Sequence, residues 1–149
     1  MTPKERLDLL DAGSNPAQIA KLRSGYAVLG DNQYLPGYCL LLASPIVCQL
    51  NDLTGSARAQ FLADMSALGD ALMEATSCRR VNYGIYGNLD PFLHVHIWPR
   101  YEWEHAEHVH NPPFLLPLEF RSNPETEFSL ERHGELLLKI RKSLRPGNL

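Results

Sequence analysis

The most regular alternation of polar and apolar positions in the chain runs from Phe92 to Arg100, where Leu93, Val95 and Ile97 interleave with His94, His96 and Trp98. A period of two predicts a strand whose successive side chains face opposite ways. Leu93, Val95 and Ile97 then point into a core, while His94 and His96 share the other face, roughly 7 Å apart along the backbone. Upstream, Tyr26–Leu29 and Tyr38–Ala43 read as two further strands, with turn residues Gly30-Asp31-Asn32-Gln33 between them, which predicts an antiparallel hairpin. Val81–Tyr86 is another strand, joined to the histidine strand through Gly87-Asn88-Leu89-Asp90-Pro91.

Helical periodicity is clearest from Thr54 to Ala75, where Phe61, Met65, Leu68 and Leu72 recur at spacings of four, three and four, the stripe of a helix lying on a sheet. Asp52 or Thr54 caps its start in this reading. Ser129 to Leu144, with Leu130, Leu137, Ile140 and Leu144, predicts a final amphipathic helix capped by Ser129. Arg141, Lys142 and Arg145 suit the negative pole of that helix. Pro3 to Leu22, with Leu7, Leu10, Ile19 and Leu22 broken by Gly13-Ser14-Asn15-Pro16, reads as two short helical pieces joined by a turn. After Arg100 the chain turns polar and proline-rich through Asn111-Pro112-Pro113 and Asn123-Pro124, which predicts an irregular segment lying over the sheet within reach of the histidines.

A length of 149 residues suits one domain, residues 1–149, with a core over 22–101 and a C-terminal segment and helix over 102–149. Hydrophobic residues at 44% and charged residues at 21% give an ordinary globular balance. There is no apolar run long enough for a bilayer, and the opening residues are too charged for a secretion signal, so a cytoplasmic location is expected, with no membrane partner. Cys39, Cys48 and Cys78 form no Cys-x-x-Cys pair and read as free thiols. The net charge of −3 argues against a nucleic acid polymer as partner and confines any polyanion site to a local patch. Five of the six histidines, His94, His96, His105, His108 and His110, fall in one short window, which points to a site.

The segment from Tyr26 to Tyr101 resembles the histidine triad (HIT) superfamily of nucleotide hydrolases and transferases. The matching features are Pro36-Gly37-Tyr38 entering an apolar strand, Asn51-Asp52-Leu53 before the long helix, Val81-Asn82-Tyr83, Gly87-Asn88, and His94-Val95-His96-Ile97-Trp98-Pro99-Arg100. The family pattern is His-φ-His-φ-His-φ-φ, with φ apolar. Anchoring on Pro99-Arg100 puts His94 in the middle, nucleophilic place, His96 in the last, and Phe92 where the first histidine would stand. The Pro91-Phe92-Leu93-His94 context is similar to HIT proteins grouped as diadenosine-polyphosphate hydrolase-like. The resemblance implies an α+β fold, a bent antiparallel sheet of about five strands with helices packed on it, and a homodimer.

It also implies a chemistry that needs no metal or other cofactor. A neutral imidazole can attack an α-phosphorus and split the cleavage of a phosphoric anhydride into two displacements through a phosphoramidate on His94. The other ring nitrogen must then be a donor held by an acceptor, commonly a backbone carbonyl. His96 can donate to a phosphate oxygen or to the departing group. A phenyl ring at 92 fills the space of the family's first histidine without replacing its hydrogen bond, and Asp90 is a candidate to compensate. By the same resemblance Asn88 places a side-chain amide near the α-phosphate. Asp31 or Asn32 accepts from the ribose, Asp31 being favoured because a carboxylate can accept from both hydroxyls, with Leu29 and Ile46 as walls for the base.

Asn82 bonds either ligand or neighbouring backbone, Arg100 either phosphate, a carboxylate or a partner subunit, and Trp98 packs or stacks on a base. The leading expectation is a nucleotide-binding hydrolase acting on a nucleoside phosphoric anhydride or dinucleoside polyphosphate. The alternatives are a non-catalytic nucleotide-binding or sensing protein, and a metal-binding protein that uses His94 and His96 with His105, His108 and His110.

Overall fold

In the computed structural model the described residues are 1–144, so Arg145 lies outside them. Five strands form one open antiparallel sheet: β1 (Gln18–Leu22), β2 (Gly25–Leu29), β3 (Cys39–Ala43), β4 (Arg80–Ile85) and β5 (His94–Arg100), in the order β1-β2-β3-β5-β4. The helices are α1 (Pro3–Asp11), α2 (Gly55–Thr76), two short ones, α3 (Ala106–Val109) and α4 (Leu118–Arg121), and α5 (Leu130–Ser143). This is the expected α+β arrangement.

The main core lies between one face of the sheet and the stripes of α2 and α5. Leu93, Val95 and Ile97 meet Phe61, Leu68 and Leu72 from α2 and Leu137 and Ile140 from α5 there. Asp64 is the polar exception on α2, buried yet accepting from the Ser24 backbone N–H at 2.9 Å, the Ser24 hydroxyl at 2.6 Å and the Gln60 amide at 2.8 Å. It pins the long helix to the β1–β2 turn, and a buried carboxylate is tolerable because three donors replace its water.

The opposite face carries two smaller apolar clusters with the histidines between them. Leu7 and Leu10 of α1 pack on Tyr26, Val28, Leu42 and Phe92 at one end. Tyr34, Trp98, Tyr101 and Leu116 close the other. Helix α1 is held in place by a capping box between Thr2 and Glu5 and by Asp11, whose carboxylate accepts from the Tyr26 hydroxyl and pairs with Lys21 at 3.1 Å.

Two expectations change. Residues 18–22 form a strand, not a second helical piece: Gln18 pairs with Val28 and Ala20 with Ala27, so Ile19 is the extra residue of a bulge. The bulge lets Ile19 and Leu22 both face the core at a spacing of three, which imitates a helix in the sequence. At α2, Thr54 is the N-cap residue but its side chain makes no capping bond, and Asp52 instead accepts from the backbone N–H groups of Cys48 and Gln49 in the preceding turn. Ser129 does cap α5, accepting from Arg132 N–H at 3.3 Å, while Arg141 reaches the Ile19 and Gln18 carbonyls and ties α5 to β1. Among the described residues no helix is long and apolar enough to cross a membrane.

Candidate active site

The sheet register builds the site. On the face away from the main core, His94 stands opposite Leu42, and His96 lies between Leu40 on β3 and Gly84 on β4. Phe92, His94, His96 and Trp98 form a row, with the two imidazole rings 5.0 Å apart at 72°. His94 is buried, and its Nδ1 lies 2.8 Å from the Phe92 backbone carbonyl. A carbonyl can only accept, so Nδ1 carries a proton, and in the neutral ring Nε2 keeps its lone pair. The group that aims this ring is therefore backbone at position 92, independent of the side chain there.

His96 has the complementary arrangement. Its Nδ1 lies 2.7 Å from the Tyr38 hydroxyl, and burial pushes the Tyr38 phenol well above its ordinary pKa, keeping it protonated and able to donate. In the tautomer in which the Tyr38 hydroxyl donates to Nδ1, the single proton of neutral His96 sits on Nε2. The two histidines thus offer one lone pair and one N–H. Two glycines permit this. A Cβ on Gly30 would lie 2.4 Å from the Tyr38 ring, and one on Gly84 would lie 2.5 Å from the Tyr86 ring that lies beside His96.

A cavity of about 590 Å³ opens over the pair. Val28, Leu40 and Leu42 form its apolar floor, Asp31 and Asn88 reach it from loops, and Tyr86 and Phe114 lean on each other at its rim with ring centres 5.1 Å apart. Asp31 and Asn88 line the cavity and are exposed, and neither side chain makes a hydrogen bond among the described residues.

No protein-family model matches the sequence, and no curated protein matches it. Solved structures do. A histidine triad protein of Sinorhizobium meliloti 1021 superposes with a TM-score of 0.73 at 20% identity, covering 94% of each chain. The chain has the histidine triad fold. A histidine triad protein of Marinobacter aquaeolei VT8 gives a TM-score of 0.71 at 21% identity over 94% of this chain and 93% of that one. A protein of Sulfolobus tokodaii strain 7 described as a hypothetical histidine triad nucleotide-binding protein gives 0.69 at 15% identity, over 93% and 89%.

Within this histidine triad fold several sequence-designated residues lie elsewhere or are engaged. Arg100 is buried and spent on protein: it meets Glu104 at 2.8 Å and donates to Asn82 Oδ1, to the Asn111 carbonyl and to the His108 and Val109 carbonyls. It folds the segment after β5 instead of holding phosphate, and Asn82 is its partner outside the histidine cavity. Asn32 borders the cavity, but its side chain is committed to the Asn123 carbonyl, Tyr34 N–H and Thr126 hydroxyl. Leu29 belongs to the main core and also lines the cavity beside Val28 and Leu40, while Ile46 is exposed and lies outside it.

Trp98 is buried, stacked on His96 at 5.1 Å, with its indole N–H on the Tyr34 hydroxyl. Asp90 faces Arg6, not an imidazole. His105 and His108 lie near each other on the segment after β5, and no group of three or more His, Cys, Asp or Glu among the described residues could hold a metal ion. Tyr38, Arg6 and Arg121 also line the cavity, and no local pattern in the sequence marks them for it. Tyr38 stands in the Pro36-Gly37-Tyr38 motif, but its partner is 58 positions away and only the β3–β5 register joins them.

Burial and, secondarily, the neighbouring His94 lower the pKa of His96 to about 4 from an ordinary 6.5. A depressed folded value means that the unfolded chain binds the proton first. The stability contributed by neutral His96 is therefore fully present above pH 6.5 and is lost as pH falls from there towards 4. Following the His96 ring carbon shifts by NMR should give a midpoint near 4, whereas a midpoint near 6.5 would contradict the buried, neutral imidazole described here.

Proposed function

We propose that the protein is a nucleotide-binding hydrolase that cleaves a nucleoside phosphoric anhydride, with dinucleoside polyphosphates as the substrate class, through a nucleotidyl group carried on His94. The observation that carries this reading is the 2.8 Å bond from His94 Nδ1 to the Phe92 carbonyl. It leaves Nε2 as a lone pair in the cavity whatever side chain occupies position 92.

In the first step Nε2 attacks the α-phosphorus, forming a P–N bond and breaking the P–O bond to the remaining phosphates. The imidazole ring gains positive charge, which the Phe92 carbonyl accommodates at the Nδ1 proton. His96 Nε2–H, held outward by Tyr38, donates to the non-bridging or departing oxygen as charge develops there. Water then attacks the phosphorus, forming a P–O bond and breaking the P–N bond, so that a nucleoside monophosphate and a proton are released and the neutral His94 ring is restored. Asn88 holds the α-phosphate with its amide, and Asp31 accepts from the ribose hydroxyls at the far end of the cavity. The base lies on Val28 and Leu40.

A homodimer accompanies this reading. Strand β4 is an edge of the sheet, with Tyr83 exposed along it. Pairing two copies across this edge would cover that side chain and extend the sheet.

Phe92 favours a second reading, a nucleotide-binding protein without turnover, because the side chain at that position supplies no hydrogen bond. Incubation with diadenosine tetraphosphate in ¹⁸O water separates the two. The hydrolase gives AMP and ATP with the label in AMP, the products of attack at the α-phosphorus. Two molecules of ADP would contradict attack at that atom, and binding without any product would favour the second reading.

A further inference from the structure

Helix α1 lies outside the segment that carries the family resemblance, yet it forms one end of the histidine cavity. Its Leu7 and Leu10 seat on Phe92, and the neighbouring Arg6 lines the cavity with Asn88, Asp90 and His94. Phe92 is 2% exposed, so the phenyl group in place of a histidine is the apolar seat of this helix.

The state of Arg6 is unusual. Its Nε is buried and makes no hydrogen bond among the described residues, although buried N–H donors are nearly always paired. The carboxylate beside it, Asp90, stands 3.9 Å from Nη2, too far for a hydrogen bond, and both side chains are over a third exposed at 37% and 40%. A pair that loose and that wet contributes little and yields readily to a better acceptor. Phosphate oxygens are such acceptors, and a guanidinium presents a fork that matches them.

Position along the row indicates which phosphate. Asp31 follows β2, whose last residue, Leu29, pairs with Cys39 opposite Ile97, so it lies beyond the His96 end. Arg6 meets Asp90, which precedes Phe92, beyond the His94 end. A nucleotide with its ribose at Asp31 and its α-phosphate at His94 therefore extends its remaining phosphates towards Arg6.

We propose that Arg6 is the binding site for the phosphates beyond the scissile bond, so that α1, seated on Phe92, selects substrates whose leaving group is itself a phosphate chain. This rests on the ribose and α-phosphate placements proposed above. During cleavage the same guanidinium neutralises charge on the departing phosphate. Uncharged or singly substituted leaving groups gain nothing from it.

The test is binding, which needs no turnover. AMP and α,β-methylene-ATP, whose bridging carbon cannot be cleaved, are titrated calorimetrically into the wild type, Arg6→Gln and Arg6→Lys. The wild type should prefer the methylene analogue to AMP by about 10-fold or more, and Arg6→Gln should shrink that preference to about 2-fold with AMP affinity nearly unchanged. Arg6→Lys should restore part of it, because a point charge remains without the fork. Equal loss of both ligands in Arg6→Gln, or no loss of either, overturns the proposal. Turnover of diadenosine tetraphosphate is read separately: charge-selective binding without cleavage would sink the hydrolase reading and leave the Arg6 site standing.

Discussion

Replacing His94 by alanine should lower kcat on a dinucleoside polyphosphate by about 10⁴-fold or more, while nucleotide affinity changes by less than about 3-fold. An imidazole that merely donates to bound phosphate would cost affinity and rate together. One that forms the P–N bond removes a whole reaction path when deleted, because water in the same cavity lacks the aimed lone pair that the Phe92 carbonyl creates. Exogenous imidazole offered to His94→Gly should recover part of the rate, since that variant leaves a gap between Phe92 and His96 of the right shape. Comparable kcat in wild type and His94→Ala would remove His94 from the chemistry.

The second large effect concerns folding. Arg100→Met should destabilise the protein by about 3–5 kcal/mol, read as a lower urea midpoint at unchanged slope. The Arg100 and Glu104 side chains are 5% and 2% exposed, so deleting the guanidinium strands a carboxylate in the interior. Glu104 also accepts from Tyr101 N–H at 2.7 Å, and Arg100 satisfies three carbonyls of the following segment, at His108, Val109 and Asn111. Adding Glu104→Leu should return only part of the loss, because those carbonyls stay unpaired. A change below about 1 kcal/mol, the range of an exposed ion pair, would contradict the burial described here.

What could be read from the sequence follows physical range. The alternation from Leu93 to Trp98 fixes both faces of β5 by local geometry, so His94 and His96 share a face with the core residues opposite, as found. The stripes of α2 and α5 are equally local. A bulge defeats the same logic at Ile19, where one extra residue converts strand parity into a helix-like spacing.

Partnership is harder to read than position. Arg100 has the right chemistry for phosphate, and only the fold shows its guanidinium taken by Glu104. Asn32 and Asp31 are adjacent and chemically similar, yet a bridge to Glu127 and the Asn123 carbonyl capture the first while the second stays open to the cavity. Tyr38 and Arg6 reach the cavity through tertiary contacts that no local pattern encodes. The consequence of Phe92 also needed the fold, because the bond that matters at that position belongs to the backbone.

The most direct test of the account is the mass of the intact protein after brief mixing with diadenosine tetraphosphate and quenching in neutral denaturant, which spares an acid-labile P–N bond. One added adenylyl group is expected on the wild type, lost on acid treatment, mapped to His94 and absent from His94→Ala. Product released at full rate with no adduct at any time point, or an adduct that persists in His94→Ala, would contradict it.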